Sequence, residues 1–167
     1  MTALPMRAPR RSATVEAQVR SATLADVPSL ERLIAPFILT GDLLPRSNYD
    51  LCRHIKEYVV MSGADGEIVA CGSLKVYSET LAEIAAIAVR ADRQGEGLGR
   101  AVVLALVAEA RRLDLAEVFG LTRKPLFFAQ LGFATTHKAH FPLKVWSDCA
   151  RCPRRDCCDE VAVSLQL

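Results

Sequence analysis

The chain has 167 residues, of which 51% are hydrophobic and 24% are charged, and its formal net charge is +2. A chain of this size and composition is expected to fold as one domain around its own core, which excludes an intrinsically disordered protein. The longest apolar runs, at 101–108 and 84–89, are too short to span a bilayer. A charge of +2 does not argue for nucleic acid, so we predict neither a membrane nor a nucleic-acid partner.

An arginine-rich segment without acidic residues precedes the first periodic pattern, with Arg7, Arg10 and Arg11 close together. We expect residues 1–14 to form a flexible tail, although a transit peptide has a similar composition, and 15–167 to form the single domain. The segment lacks the apolar stretch of a secretory signal. Reduced thiols in a cytoplasmic protein are therefore the expectation for the six cysteines.

The N-terminal part of the domain predicts a strand at 15–20 followed by two helices. Thr23 and Asp26 have the spacing of a capping box. Apolar residues then follow at helical spacing: Val27, Leu30, Ile34, Phe37 and Ile38. Pro28 fits the first turn of this helix, whereas Pro36 is expected to disturb its end. The second helix begins with the same cap spacing at Ser47 and shows one apolar face: Leu51, Ile55 and Tyr58.

The middle of the chain predicts a hairpin and a central strand. Residues 58–61 and 68–76 are two strands that flank Asp65-Gly66, a hairpin turn signal. Residues 81–89 form a third strand, and their nearly continuous apolar character indicates burial on both faces.

The C-terminal half begins with a glycine-rich turn at 93–100, which leads directly into an apolar helix at 98–112. A strand at 117–121 and a short helix from Pro125 to Leu131 follow, and Gly132 ends that helix. Residues 133–136 and 161–165 predict a closing strand pair. The order β α α β β β α β α β β is typical of a mixed α/β domain in three layers.

The glycine-rich turn (residues 93–100) has the composition of an anion site. Glycines accept positive φ and let a ligand approach the backbone, and the following helix offers free N–H groups and the positive end of its dipole. Arg93 and Arg100 add positive charge. The turn lacks the Gly-Lys-Ser/Thr ending of a Walker A loop and the glycine spacing of a dinucleotide-binding fold.

At this turn the chain resembles the Gcn5-related N-acetyltransferases (GNAT), because its sequence matches their acyl-CoA signature at Val89, Arg93, Gln94, Glu96, Gly97 and Gly99. The resemblance implies a GNAT-like three-layer α/β/α fold with a mixed, mostly antiparallel central sheet that is splayed at the acyl-CoA site. It also implies acetyl-CoA as the donor and no metal. The implied cofactor-binding residues are Ile87, Ala88, Val89, Arg93, Gln94, Gly95, Glu96, Gly97, Leu98, Gly99, Arg100 and Phe128. Glu96 is equally compatible with a solvated turn residue.

Five further segments resemble the short N-acetylglutamate synthases of bacterial arginine biosynthesis. They lie, in order, at 43–47, 82–89, 118–122, 127–133 and 144–153. The resemblance implies L-glutamate as the acceptor of the acetyl group. The chain departs from this family at Ala85-Ala86, where an arginine and a small polar residue are usual, and we hypothesise that Arg123 supplies the missing charge from the next strand.

Arginine and lysine are suitable partners for the two carboxylates of glutamate. The candidates for acceptor binding are Arg46, Arg123, Lys144 and Lys75, and each is also compatible with an ordinary surface cation. The resemblance implies direct transfer, in which the amine attacks the thioester. Glu83 is then the candidate base, although a salt-bridged structural role fits it equally well.

The N–H of Ala88 or Val89 is the expected donor to the developing oxyanion. Many relatives protonate the leaving thiolate with a tyrosine, at the position that is Phe128 here, and Thr122 is a weaker alternative donor.

Four cysteines near the C-terminus, Cys149, Cys152, Cys157 and Cys158, are compatible with a zinc site, a redox pair or inert thiols. We predict no metal. The rival functions are acetylation of another amino acid, a polyamine or a drug amine, a non-catalytic acetyl-CoA sensor, and a small zinc-binding interaction protein. The expected partner is a small-molecule amine, and a homodimer is compatible with the sequence.

Overall fold

The computed structural model describes residues 18–167, so the predicted tail at 1–14 lies outside the described residues, as does the first half of the predicted first strand at 15–20. The strands are β1 (Arg20–Ser21), β2 (Tyr58–Ser62), β3 (Ile68–Val76), β4 (Leu81–Val89), β5 (Glu117–Thr122), β6 (Ala134–Thr136) and β7 (Val161–Gln166). The helices are α1 (Val27–Leu39), α2 (Asn48–His54), α3 (Leu98–Arg112), α4 (Pro125–Ala129) and α5 (Pro142–Ser147). The predicted order is confirmed, and α5 is the helix that the sequence patterns did not predict.

Within residues 18–167 the strands form one sheet in the order β1-β2-β3-β4-β5-β7-β6. Every neighbouring pair is antiparallel except β4 and β5, which are parallel. Helices α3 and α4 pack on one face of the sheet through Val102, Leu106 and Phe128, and α1 and α2 pack on the other through Leu30 and Leu51. The predicted three-layer α/β/α fold with a mixed, mostly antiparallel sheet is therefore confirmed.

The first helix begins as its capping signal predicts. The Thr23 N–H donates to Asp26 Oδ2 at 2.8 Å, and the Arg20 guanidinium binds the same carboxylate. The prediction for Pro36 is wrong, because the helix continues through it to Leu39. Pro36 lies on the exposed face, where water can satisfy the carbonyl that loses its helical partner.

Strands β4 and β5 pair only at their beginnings, where Leu81, Ala82 and Glu83 face residues 117–119. Residues 84–89 have no pairing to β5 in the described sheet, while β5 pairs with β7 along its full length. The two parallel strands therefore separate into a gap, which is the predicted splay of the sheet.

A β-bulge lies in β4 beside this gap. Cys71 pairs with Ala88 and Ser73 pairs with Ala85, so Ala86 and Ile87 together oppose Gly72. Ala86 takes the left-handed conformation, with φ of 52°. A Cβ at Gly72 would lie 2.5 Å from Ile87 Cδ1, so only glycine lets α3 and the bulge pack this closely. The bulge re-aims the end of β4 along the gap.

None of the helices described between residues 18 and 167 is both long enough and apolar enough to cross a membrane.

Candidate active site

The glycine-rich turn has the backbone geometry of an anion cradle. Gly95 and Gly97 have φ of 85° and 81°, and a Cβ at either position would meet nothing within 4 Å. The glycines are therefore required by the backbone conformation, and the space in front of them is open. The Ala101 N–H donates to the Gly97 carbonyl at 3.0 Å as the first helical bond, so the preceding N–H groups at the start of α3 are available to an anion.

Two side chains brace the turn from inside. The Arg93 Nε lies 2.8 Å from each oxygen of Glu96, so this arginine balances the acid of its own turn. Gln94 Nε2 donates to the Val89 carbonyl at 3.2 Å and ties the turn to the end of β4. Arg100 is exposed in the first turn of α3. Arg93 forms an ion pair with Glu96, whereas Arg100 has no ion pair among the described residues.

The gap between β4 and β5 distinguishes the two predicted amide donors. The Arg90 N–H donates to the Val69 carbonyl at 2.8 Å, and Ala88, two residues earlier in the strand, pairs with Cys71, so the N–H groups of both residues face β3. Successive N–H groups of a strand point to opposite edges, and the N–H of Val89 therefore faces the gap. Of the two alternatives, the strand geometry favours Val89, and the oxyanion donor stays a prediction.

Aromatic rings close the far side of the gap. Phe128 is buried, packs edge-on against Phe133, and lies 3.9 Å from the position of a Cβ at Gly120, where β5 leaves β4. Its neighbour Phe127 lies 3.6 Å from the corresponding position at Gly99, in the first turn of α3. Phe127 is thus the aromatic residue that sequence reasoning missed beside the glycine-rich turn, and the predicted contact of Phe128 with a cofactor stays a prediction.

A charged pocket opens on the α1 side of the sheet. It is bounded by the bulge residues Ala85 and Ala86, by the loop between α1 and α2, and by the segment that follows α5. All four predicted acceptor-binding cations, Arg46, Lys75, Arg123 and Lys144, line it, as does Glu83. The structure therefore brings together residues that are up to 98 positions apart in the sequence, from Arg46 to Lys144.

Five of these side chains form an inner charge cluster, namely Arg46, Lys75, Glu83, Lys144 and Asp148. Lys144 Nζ lies 2.9 Å from Glu83 Oε1 and 3.2 Å from Asp148 Oδ2. Arg46 Nη2 lies 3.2 Å from the same Asp148 oxygen, which Lys75 also binds. Three cations and two carboxylates leave one net positive charge in this cluster.

The cluster fixes the charge state of its members. Burial raises the pKa of Asp148, but the cations of Lys75, Lys144 and Arg46 outweigh it and hold that pKa well below its usual range. Burial lowers the pKa of Lys144, but Glu83 and Asp148 outweigh it and raise that pKa above its usual value. Both groups therefore stay ionised at neutral pH. Glu83 is almost fully buried and also accepts a hydrogen bond from the Tyr77 hydroxyl at 3.1 Å, as its salt-bridged alternative predicts.

Arg123 is bound by protein groups at the mouth of the pocket. Its Nε donates to Asp159 at 2.8 Å, its Nη1 to Asp42 at 2.6 Å, and its Nη2 to the Gly41 carbonyl at 3.1 Å. All three nitrogens are thus engaged with two loops at the mouth of the pocket. Arg123 holds these loops together, and Arg46, with one nitrogen bonded to Asp148, retains more donors for a ligand.

Three of the C-terminal cysteines, Cys149, Cys152 and Cys158, also line the charged pocket. All six cysteines are free thiols, and burial raises the pKa of Cys149. Within residues 18–167 no group of three or more His, Cys, Asp or Glu side chains is arranged to hold a metal ion.

Sequence reasoning missed Asp148 and Tyr58 as pocket residues. Lys144 and Asp148 are four residues apart, and Pro142 fits a first helical turn. These two features predict a short helix with both charges on one face. Tyr58 gave no such signal, because neither its place on the predicted apolar helix face nor its place at the start of the predicted strand indicates a pocket.

The comparisons with known sequences agree with this geometry. The sequence profile described as the Acetyltransferase (GNAT) family matches residues 29–133. An uncharacterized N-acetyltransferase of Chlorobaculum tepidum, CT2212, is 34% identical over 145 residues, which cover 87% of this chain and 93% of that protein. An amino-acid acetyltransferase of Mycobacterium tuberculosis is also 34% identical, covering 80% of this chain and 77% of that protein. The chain spans only 29% of a third relative, the amino-acid acetyltransferase of Pasteurella multocida.

Solved structures show the same fold. The N-acetylglutamate synthase of Neisseria gonorrhoeae, complexed with coenzyme A and N-acetyl-glutamate, superposes with a TM-score of 0.80 at 28% identity, covering 90% of this chain and 35% of that chain. The Mycobacterium tuberculosis protein Rv2747, solved in complex with CoA, gives a TM-score of 0.75 at 30% identity and covers 89% and 98%. The family match over most of the chain, with the splayed sheet and the glycine-rich turn, confirms the resemblance, and the chain belongs to the Acetyltransferase (GNAT) family of acetyltransferases.

Proposed function

We propose that this acetyltransferase transfers the acetyl group of acetyl-CoA to the α-amino group of L-glutamate. The observation that carries the choice of acceptor is the inner charge cluster, which places Arg46, Lys75 and Lys144 beside two carboxylates at the wall of the charged pocket. The relatives named amino-acid acetyltransferases support an amino acid as the acceptor. The N-acetylglutamate synthase complexed with N-acetyl-glutamate supports glutamate among them.

On the donor side, the glycine-rich turn is the proposed site of the CoA pyrophosphate. The N–H groups at the start of α3 and the exposed Arg100 supply positive potential, and the open space at Gly95 and Gly97 lets phosphate oxygens approach the backbone. The pantetheine arm then follows the gap along the end of β4. This placement brings the thioester carbonyl beside the Val89 N–H, which faces the gap.

On the acceptor side, the cluster has one positive charge to spare for an acidic ligand. Asp148 oxygens already hold Arg46, Lys75 and Lys144 in place, so the cations are oriented before the acceptor arrives. Arg46 is the proposed primary contact, because its remaining guanidinium nitrogens suit a carboxylate in a bidentate geometry. Arg123 is not among the proposed acceptor contacts, because its three nitrogens already bind Asp159, Asp42 and the Gly41 carbonyl.

The reaction requires that protons leave the acceptor nitrogen. The ammonium first loses one proton, the neutral amine attacks the thioester carbonyl, and the C–S bond breaks after a second proton leaves the nitrogen. We propose Glu83 as the proton acceptor, through a water, because it lines the charged pocket beside the bulge. The thiolate takes one proton from solvent, since Phe128 has none to give, so each turnover releases one net proton.

The deciding assay measures CoA thiol release from acetyl-CoA with each of the twenty amino acids. We expect the highest kcat/KM with L-glutamate. Release with a different amino acid and none with glutamate would refute the acceptor assignment, and no release with any of them would refute transfer to amino acids.

Arg46→Ala is expected to raise the KM for glutamate at least tenfold, as loss of a charged hydrogen bond predicts, with little change in the KM for acetyl-CoA. Arg53→Ala, an exposed arginine on α2, is the matched control and should leave both constants unchanged. The cytoplasmic location and the homodimer stay predictions.

A further inference from the structure

Tyr58 is the first residue of β2. It pairs with Ser73 of β3, which pairs with Ala85 of β4, so the three residues form one row across the sheet. Residues directly opposite one another in a sheet project to the same face. The Tyr58 ring therefore points to the face that carries Ala85 and the charged pocket. Its side chain lines that pocket although only 3% of the residue is exposed.

The Tyr58 hydroxyl has no hydrogen-bond partner among the described residues. The other polar side chains on this side of the sheet each make at least one hydrogen bond: Arg46 and Lys75 bind Asp148, Tyr77 donates to Glu83, and the Ser73 hydroxyl donates to the Ala85 carbonyl at 3.2 Å. None of the fully buried side-chain polar atoms of the described residues lacks a partner, so the unpaired Tyr58 hydroxyl is accessible from the charged pocket. The unused donor at the pocket wall is therefore a position where a ligand group would complete the hydrogen bonding.

The Tyr58 hydroxyl is protonated at neutral pH and can act as a donor. Burial raises the pKa of Tyr58, Cys71, Glu57 and Asp148 raise it further, and the positive charge of Arg46 opposes these effects without cancelling them. The phenol therefore keeps its proton at neutral pH and acts as a neutral donor in the pocket that Arg46 also lines. Asp148 also lies close enough to influence it.

The position of Tyr58 indicates which end of the acceptor it meets. The reacting amine has to reach the gap beside β4, whereas Tyr58 starts two strands away, about 10 Å from the β4 backbone at the usual strand spacing. The hydroxyl thus faces the part of the acceptor that does not react. In an amino acid with an acidic side chain, the polar groups that do not react are its two carboxylates.

We propose that the Tyr58 hydroxyl donates a hydrogen bond to a carboxylate of the acceptor beside Arg46, and that Tyr58 is thereby a specificity-determining residue of this enzyme. The inference rests on the proposed transfer to an acidic amino acid. Tyr58 would add a neutral hydrogen-bond donor to the cations that the sequence predicts for acceptor binding.

Tyr58→Phe tests this, because phenylalanine keeps the ring in the core and removes only the hydroxyl. Losing a hydrogen bond to a charged group predicts a rise of about tenfold to 100-fold in the KM for glutamate. The KM for acetyl-CoA and the thermal unfolding midpoint should stay near the wild-type values. Tyr49→Phe, an exposed tyrosine on α2, is the control and should change none of these constants.

Acceptors with one carboxylate replaced by an amide identify the partner of the hydroxyl. The ratio of variant to wild-type KM is measured with glutamine and with the α-amide of glutamate. If the hydroxyl binds a given carboxylate, the KM ratio should fall toward one with the acceptor in which that carboxylate is an amide. The ratio should stay high with the other acceptor.

An unchanged KM for glutamate in Tyr58→Phe would overturn the inference while leaving glutamate as the acceptor. An increase that persists with both amides would overturn it as well. If the wild-type enzyme uses a different amino acid, the acceptor assignment fails, and the same comparison on that amino acid still decides the role of Tyr58.

Discussion

The ion pair between Lys144 and Glu83 offers a quantitative test of how the charged pocket is held together. Lys144 Nζ lies 2.9 Å from Glu83 Oε1, and the two side chains are 9% and 3% exposed. Lys144→Met keeps the length of the side chain and removes its charge. Glu83 then retains one hydrogen-bond donor, the Tyr77 hydroxyl at 3.1 Å, inside a buried site.

The expected loss of stability follows from this burial. Removing one partner of a buried ion pair costs about 3–5 kcal/mol, because the other charge stays buried without compensation. Asp148 keeps Arg46 and Lys75 after the substitution, so the cost is concentrated at Glu83 and the lower end of that range applies. A loss of about 3 kcal/mol corresponds to a fall of roughly 10 °C in Tm for a domain of this size.

Urea unfolding followed by circular dichroism measures the free energy of unfolding directly. Lys56→Met removes an exposed lysine next to α2 and should stay within about 0.5 kcal/mol of the wild-type protein. Adding Glu83→Gln to Lys144→Met should recover about 2 kcal/mol, because the stranded charge is then absent.

A Lys144→Met variant as stable as Lys56→Met would refute this reasoning. It would mean that Glu83 does not depend on the buried ammonium, and the inner charge cluster would then not be a preorganised unit. The absence of any recovery in the double variant would equally contradict the coupling between the two side chains.

Three further predictions concern the turn, the base and the dependence on pH. Gly97→Ala should raise the KM for acetyl-CoA about tenfold, because a Cβ there enters the space in front of the turn. Gly66→Ala, in the β2–β3 hairpin, is the control because Gly66 has the same positive φ. It should lower only the free energy of unfolding, by about 1–2 kcal/mol, and leave the KM unchanged. Glu83→Gln should lower kcat about 100-fold if the carboxylate accepts the proton, whereas an unchanged kcat with a lower Tm would assign it a structural role alone. Because the pKa of Asp148 is lowered in the folded protein, its ionised carboxylate stabilises the fold above the unfolded pKa of about 3.9, and this stabilisation is lost as the pH falls toward the folded pKa. Asp148→Asn should therefore flatten the acid side of a plot of Tm against pH. An unchanged slope would contradict this.

Local patterns in the sequence predicted most of the secondary structure. The bounds of β3, β4 and α3 were predicted to the residue, because each has a clear period and a glycine or turn signal at its end. The short helix α5 was missed, since six residues are too few for periodicity to show. Pro36 was misjudged because local sequence does not reveal that it lies on the exposed face of α1.

The sequence by itself determined the family, the fold and the glycine-rich turn, because those features depend on contiguous residues whose types directly constrain the backbone. The tertiary structure decided how the charges are paired and which backbone groups are free. In the sequence, Arg123 and Arg46 are equally suitable partners for a carboxylate. In the fold, Arg123 binds Asp42 and Asp159, whereas Arg46 keeps hydrogen-bond donors that are free for a ligand. Ala88 and Val89 are neighbours in sequence, and strand geometry alone directs one amide to β3 and the other to the gap. Pairings of this kind join residues far apart in the chain, so no local pattern contains them.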